Sequence, residues 1–271
     1  MSEAAKVSAP ALSAAPATAW CRDFFSDVFA AVHLVRHDAA ALTETADFLQ
    51  RVLHLEAGMQ VLDQCCGVGD VSLALAARGL RMTGVDLMPS YIETAAQRAR
   101  DLSLACRFVA ADAGAFVPDV PCDAAFNWWT SFGYSASDDE NIKMLQSAAR
   151  ALKPGGFFAL DYMNAPARIA AFAGREVVED VYPLPDGSLS RWESRLLAGG
   201  TLLQKTWYYT DTAGHTQVYE GQGAKLYTAA ALQDLLQAAG FGDIRFYGSA
   251  AGGDYTSGSP RCIAVARKRE K

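Results

Sequence analysis

Apolar and polar positions change their rhythm twice along this chain. Near the start, Trp20, Phe24, Phe25, Val28 and Val32 recur at helical spacing, and a second stripe follows at Phe48, Leu49, Val52 and Leu53. From about residue 59 to 162, short apolar runs then alternate with amphipathic stretches. "MQVLDQ" reads as a buried strand, "DVSLALAARG" as a helix stopped by Gly79, and "RMTGVDL" as a second strand. Ser90, with Glu93 three residues on, predicts a capping box for the helix "YIETAAQRARDL". "CRFVAAD" and "CDAAFNW" supply two further strands. Ser137 and Glu140 repeat the capping signal before a helix whose inward face carries Ile142, Leu145, Ala149 and Leu152. "KPGG" predicts a turn ahead of the strand "FFALDY". This alternation calls for an α/β fold with a mostly parallel sheet covered on both faces.

The second change comes after Asn164. The turn signals "PDG", "AGG" and "TAG" separate the strand-like runs "EVVEDVY", "LSRWESRLL", "TLLQKTWYYT" and "HTQVYEG", which predict an antiparallel insert. The helix "AAALQDLLQAAG" and the strands "DIRFYG" and "RCIAVARK" return the chain to the main sheet. The expected organisation is a flexible tail over 1–19, a helical lid over 20–57, a core over 58–169, the insert over 170–227 and the return over 228–271.

Composition narrows the function. A chain of 271 residues has room for one sizeable core and an appended subdomain, and 51% hydrophobic with 20% charged residues marks it as globular. A net charge of -6 without a dense Lys/Arg block argues against partners with a nucleic-acid backbone. The cysteines at 21, 65, 66, 106, 122 and 262 form no CxxC pair and have only four histidines to join them, so neither a metal set nor a disulfide scaffold is expected. A reducing cytoplasm is the expected setting. "MSEAAKVSAPALSAAPATA" lacks the continuous apolar run of a signal peptide, and no segment is apolar enough to span a membrane.

The chemistry concentrates at strand ends. In "VLDQCCGVGD", Gly67 and Gly69 lie at the first strand-to-helix junction, where open α/β sheets bind ligands and missing Cβ atoms permit close approach. Asp86 ends the next strand and can accept bonds from two ribose hydroxyls, while Asp112 ends the third and can meet an adenine amino group. These groups suit a nucleoside-bearing cofactor. A nicotinamide-dependent oxidoreductase is one rival, although Ser72 stands where the third glycine of G-x-G-x-x-G is wanted. A non-catalytic protein that keeps a cofactor fold is another.

Together, "VLDQCCGVGD", "GVDLMPSYIETA", "FVAADA", "NWWTSFGY" and "ARALKPGGFFALDYMN" resemble the class I methyltransferases that use S-adenosylmethionine, in their small-molecule branch. The resemblance runs over about residues 20 to 268. It implies a Rossmann-like, seven-stranded sheet with the last strand antiparallel, plus the antiparallel β insert. It also implies Asp63 near the methionine amino group, Gly67 and Gly69 in the cofactor loop, and Cys66 as the small residue before them. Asp86 would bind ribose, with Leu87 and Met88 beside it, and Met88 over adenine. Asp112 with Ala111 and Ala113 would flank the base, and Asn127 the methionine portion. Cys65 and Cys66 are expected to shape a crowded turn rather than to react or bind metal.

The acceptor side is expected to be aromatic. Trp128, Trp129, Phe132 and Tyr134 follow the fourth strand, where the resemblance places the methyl donor. Lid and insert add Phe25, His37, Trp192, Trp207, Tyr209 and Tyr227 as pocket candidates. Trp207 and Tyr209 share a strand face, expected to point at the pocket. His37 is the candidate base, and Tyr134 is the alternative, orienting the acceptor or taking its proton through water. The expected reaction is methyl transfer to a nitrogen, oxygen or carbon of a small, partly apolar, specialised metabolite.

Overall fold

The computed structural model describes residues 19–34 and 38–270, so all of the expected tail but Ala19 lies outside it. The first helical stripe is broken in two. Helix α1 (Ala19–Phe24) ends at a bend, and Ser26 starts α2 (Asp27–Phe29) by accepting the Phe29 N–H at 3.3 Å; α2 continues as a π turn over Ala30–Leu34. Asp38 caps α3 (Ala39–Val52) by accepting the Ala40 and Ala41 amides, each at 3.0 Å, and α3 buries Phe48, Leu49 and Val52.

The predicted alternation follows as β1 (Gln60–Gln64), α4 (Asp70–Ala76), β2 (Arg81–Asp86), α5 (Pro89–Asp101), β3 (Cys106–Ala110), β4 (Cys122–Asn127), α6 (Asp138–Ala151) and β5 (Leu152–Met163). Three local expectations need correction. Helix α5 starts before Ser90: Met88 is its N-cap and Pro89 opens it, a position where the missing N–H costs nothing. Ser137 is the N-cap of α6 as expected, but its hydroxyl makes no capping bond. Leu152 belongs to β5, not to the helix face, and pairs with Cys122; "KPGG" is an irregular start of the strand, where Gly155 takes a positive φ of +74°.

The insert consists of α7 (Ala165–Phe172), β6 (Val177–Pro183), β7 (Leu189–Leu197), β8 (Leu202–Thr210), β9 (Thr216–Glu220) and β10 (Ala224–Lys225); α8 (Ala229–Ala238), β11 (Phe241–Tyr247) and β12 (Arg261–Lys268) complete the chain. The main sheet has the order β11-β12-β5-β4-β1-β2-β3, with β12 antiparallel to both neighbours and β1 to β5 mutually parallel. This is the Rossmann-like sheet expected, with its last strand reversed. The insert forms a separate antiparallel sheet in which β7 lies on one edge of β8 and β9 and β10 lie along the other.

Apolar residues fill both faces of the main sheet, so adjacent Val61 and Leu62, pointing opposite ways, belong to two different core clusters. Gly84 in β2 shows how tightly that core is set: a Cβ there would come within 2.5 Å of the Phe108 ring and 2.9 Å of Cys66 Sγ. Among the described residues no helix is long and apolar enough to cross a membrane.

Candidate active site

Parallel strands end together, and their carboxyl ends open onto one cleft. After β1 the chain turns sharply: Cys65, Gly67 and Gly69 all take positive φ, at +59°, +55° and +85°. Asp86, at the end of β2, pins that turn by accepting the Gly67 N–H on Oδ2 at 2.9 Å and the Met88 N–H on Oδ1 at 3.0 Å. Each of its oxygens keeps lone-pair capacity for another donor. Burial raises the Asp86 pKa, against the opposing pull of the Met88, Gly67 and Leu87 amides. Asp112 accepts the Gly114 N–H at 2.8 Å and faces the same cleft.

The cleft has a volume of about 650 Å³. Of the predicted cofactor residues, Cys66, Gly67, Asp86, Leu87, Met88, Asp112 and Ala113 line it. Asp63, Gly69, Ala111 and Asn127 do not. Asp63 is buried and accepts the Ser72 hydroxyl at 2.7 Å, and burial pushes its pKa up to about 8. Ser72 therefore fills the third-glycine position because its hydroxyl holds Asp63. Asn127, fully buried, turns its amide nitrogen toward Met144 Sδ at 3.3 Å and Cys65 Sγ at 3.8 Å, both on lining residues; its Oδ1 has no hydrogen-bond partner among the described residues. The Cys65 and Cys66 thiols are held well above their ordinary range by burial, and Cys66 Sγ fills the space beside Gly84.

Of the residues expected on the acceptor side, Phe25, Trp128, Trp129, Phe132, Tyr134 and Trp192 line the cleft. Trp207, Tyr209 and Tyr227 do not, which corrects the expected facing of the insert. Trp207 and Tyr209 do share a face, but that face packs onto the N-terminal helices: Trp207 is fully buried, 5.5 Å from the Phe29 ring and stacked at 5.9 Å on Trp192. Tyr227 gives its hydroxyl proton to Asp138, receives Asn141 Nδ2 at 2.8 Å, and packs its ring on Phe132. Tyr134 donates to the Thr130 carbonyl at 2.8 Å, and burial lifts its pKa above the ordinary tyrosine range, so it is poorly suited to act as a base. His37 lies outside the described residues.

Sequence reasoning missed His33, Phe29, Cys21 and Tyr91, all on the cleft wall. Phe25, Phe29 and His33 stand four residues apart, a row visible in the sequence but outweighed by the stripe through Phe24, Val28 and Val32. The bend at Phe25 and Ser26 puts the other row on the cleft. Behind it the Trp207 Nε1–H donates to Ser190 Oγ at 2.9 Å, and that hydroxyl lies 3.4 Å from His33 Nε2.

Comparisons with known proteins bear on the family and the fold. Residues 61–156 match a methyltransferase-domain family. Cypemycin N-terminal methyltransferase of a Streptomyces species is 30% identical over 220 residues, covering 78% of this chain and 84% of that protein. An S-adenosyl-L-methionine-dependent Diels-Alderase of Talaromyces variabilis is 37% identical over 113 residues, 40% of this chain and 37% of that one. The chain spans 37%, 11% and 52% of the lengths of three curated relatives that it matches over shorter stretches. Among solved structures, the CcbJ methyltransferase of Streptomyces caelestis shares the fold, with a TM-score of 0.75 at 18% identity over 92% of this chain and 97% of that one. The chain belongs to the class I S-adenosylmethionine-dependent methyltransferases, and not to the nicotinamide-dependent enzymes that its glycine pair also allowed.

Proposed function

We propose that this protein transfers the methyl group of S-adenosylmethionine to a nitrogen, oxygen or carbon of a small, partly apolar metabolite. One observation carries the reading: nucleoside-type polar groups and an aromatic wall face the same cleft of about 650 Å³. That volume lies in the range of small-molecule sites. The residues fit an S-adenosyl group in two ways: Asp86 has spare acceptor capacity, and the left-handed turn at Gly67 brings backbone to the cleft.

Asp86 would hold the ribose hydroxyls, Asp112 the adenine amino group, and Leu87 and Met88 the base's apolar face. Asp63 and Asn127 act through the loop in front of them. Bound S-adenosylmethionine supplies an electrophilic methyl group on its sulfonium. Phe25, Phe29, Trp129 and Trp192 exclude water and align a flat or apolar acceptor behind that carbon. We assign the acceptor's proton to His33, positioned by Ser190, in place of His37 and Tyr134. A net charge of -6 supports a small-molecule acceptor over a nucleic acid, and a cysteine pattern unlike that of a disulfide-stapled scaffold supports a reducing, cytoplasmic compartment.

The likeness to a Diels-Alderase favours a second reading, a protein that binds the same cofactor and catalyses a reaction without methyl transfer. Calorimetric titration with S-adenosylhomocysteine, followed by profiling of a metabolite panel with methyl-labelled S-adenosylmethionine, separates the two. Binding with label transfer supports the first reading, and binding with unlabelled, rearranged product supports the second. Absence of binding sinks both.

A further inference from the structure

Two consecutive non-glycine residues, Trp129 (φ +57°) and Thr130 (φ +62°), take the left-handed conformation just beyond β4. Side chains there crowd their own backbone, and such a pair persists only where its surroundings overdetermine it. Here one ion pair bonds to both residues. Asp161, in β5 and 2% exposed, accepts the Trp129 N–H on Oδ2 at 3.0 Å, and its main-chain carbonyl accepts the Thr130 N–H at 3.1 Å. Arg261, which opens β12, grips the Asp161 carboxylate with Nε and Nη2, both at 2.7 Å, and Nη2 also donates to Thr130 Oγ1 at 2.7 Å. Tyr134 closes the loop through its bond to the Thr130 carbonyl.

Neither Asp161 nor Arg261 lines the cleft, yet the segment they hold supplies its acceptor wall: Trp129, Ser131, Phe132 and Tyr134. We infer that the Asp161–Arg261 pair is a positioning device that sets the angle of the Trp129 indole over the cleft. A pair needed only to join β5 to β12 would have no use for the Trp129 amide or the Thr130 hydroxyl, because those strands already pair continuously from Arg261 to Arg267. Trp129 so held is 36% exposed and lines the cleft, where a flat acceptor would cover it. The word acceptor rests on the methyl-transfer reading above; the positioning of Trp129 does not.

The test labels wild-type, Arg261→Lys and Asp161→Asn proteins with 5-fluorotryptophan, assigns the Trp129 signal with Trp129→Phe, and titrates each protein with S-adenosylhomocysteine. Lysine keeps the charge and loses the two-pronged grip. The expected result is one narrow Trp129 fluorine signal in the wild type that broadens or splits in both variants, with S-adenosylhomocysteine affinity staying within about threefold. Should Asp161→Asn fail to fold, Thr130→Gly keeps the question open to measurement. Glycine accepts the positive φ without strain but removes the Arg261 contact, so the melting temperature should hold or rise while the Trp129 signal still broadens. Unmoved, narrow Trp129 signals in the folded variants would overturn the inference, since a pair serving stability alone lowers the melting temperature without disturbing that indole. A wild type that does not bind S-adenosylhomocysteine but shows the fluorine response would sink the methyl-transfer reading and leave the positioning role standing.

Discussion

Asp63 is 3% exposed, so burial makes ionising it cost more in the folded protein than in the unfolded chain; the Ser72 hydroxyl it accepts opposes this only in part, and its pKa rises to about 8. Between the ordinary carboxylate pKa of about 4 and that value, the folded state holds a proton that the unfolded state has lost. Stability therefore falls as pH rises through that window and levels off above about 8. Asp63→Asn removes the penalty, so its melting temperature should gain on the wild type as pH climbs from about 5 to about 8. Thermal melts across that range check this, and a constant difference would mean that Asp63 ionises without penalty. Asp86 makes a different case, because its oxygens also hold the Gly67 and Met88 amides. Asp86→Ala should weaken S-adenosylhomocysteine binding by about 1 to 3 kcal/mol in a calorimeter, through both the lost acceptor and the loosened turn. At this scale the sequence was legible for the acidic residues at or just beyond a strand end, since Asp86 and Asp112 both face the cleft, whereas Asn127, which ends β4, does not line it. Asp63 sits within a strand, and one residue of pleat decides whether such a side chain meets the ligand or the core.

Elements were legible in kind and order, less so in their contacts. The four strand-like runs of the insert correspond to β6, β7, β8 and β9, because turn residues mark their ends. Alternation also showed correctly that Trp207 and Tyr209 share a face. It held no information on what that face meets, because a buried aromatic strand looks the same against a ligand and against a helix. Trp207 meets Phe29, His33, Trp192 and Tyr219 and is fully buried. Trp207→Ala should accordingly cost about 3 to 5 kcal/mol of stability in denaturant unfolding, with any loss of turnover transmitted through Trp192 and His33. Wild-type stability in the variant would contradict the packing described. Gly84 carries the same lesson inside a strand. Its Cβ would strike the Phe108 ring and Cys66 Sγ, so Gly84→Ala should lower stability by about 1 to 3 kcal/mol despite the better strand propensity of alanine.

For the whole molecule, the cleft is assembled from three stretches distant in sequence: the strand ends of the core, the segment 19–34, and the insert through Trp192. The core was legible because its motifs recur in order at successive strand ends. Of the N-terminal contribution only Phe25 was legible; Phe29 and His33 were not, because a bend at Phe25 and Ser26 interrupts a seemingly continuous stripe, and a bend of that kind is set by tertiary contacts. Those contacts are visible in the structure. Tyr91 of α5, itself on the cleft wall, places its hydroxyl 2.8 Å from the Phe25 carbonyl and 3.0 Å from the Ser26 carbonyl, and Arg22 reaches the Leu87 carbonyl at 3.3 Å. Segment 19–34 is thus hung from α5 and from Leu87 just before it, so anything ordering Met88 and α5 should also order this side of the cleft. Tyr91→Phe removes the bond while keeping the ring, and should cost about 1 kcal/mol of global stability. Its larger effect should be local: faster hydrogen exchange across 19–34, with S-adenosylhomocysteine restoring less protection there than in the wild type. Unchanged exchange would show that the aromatic packing of Phe24 and Phe29 on Trp192 and Trp207 holds the segment without α5.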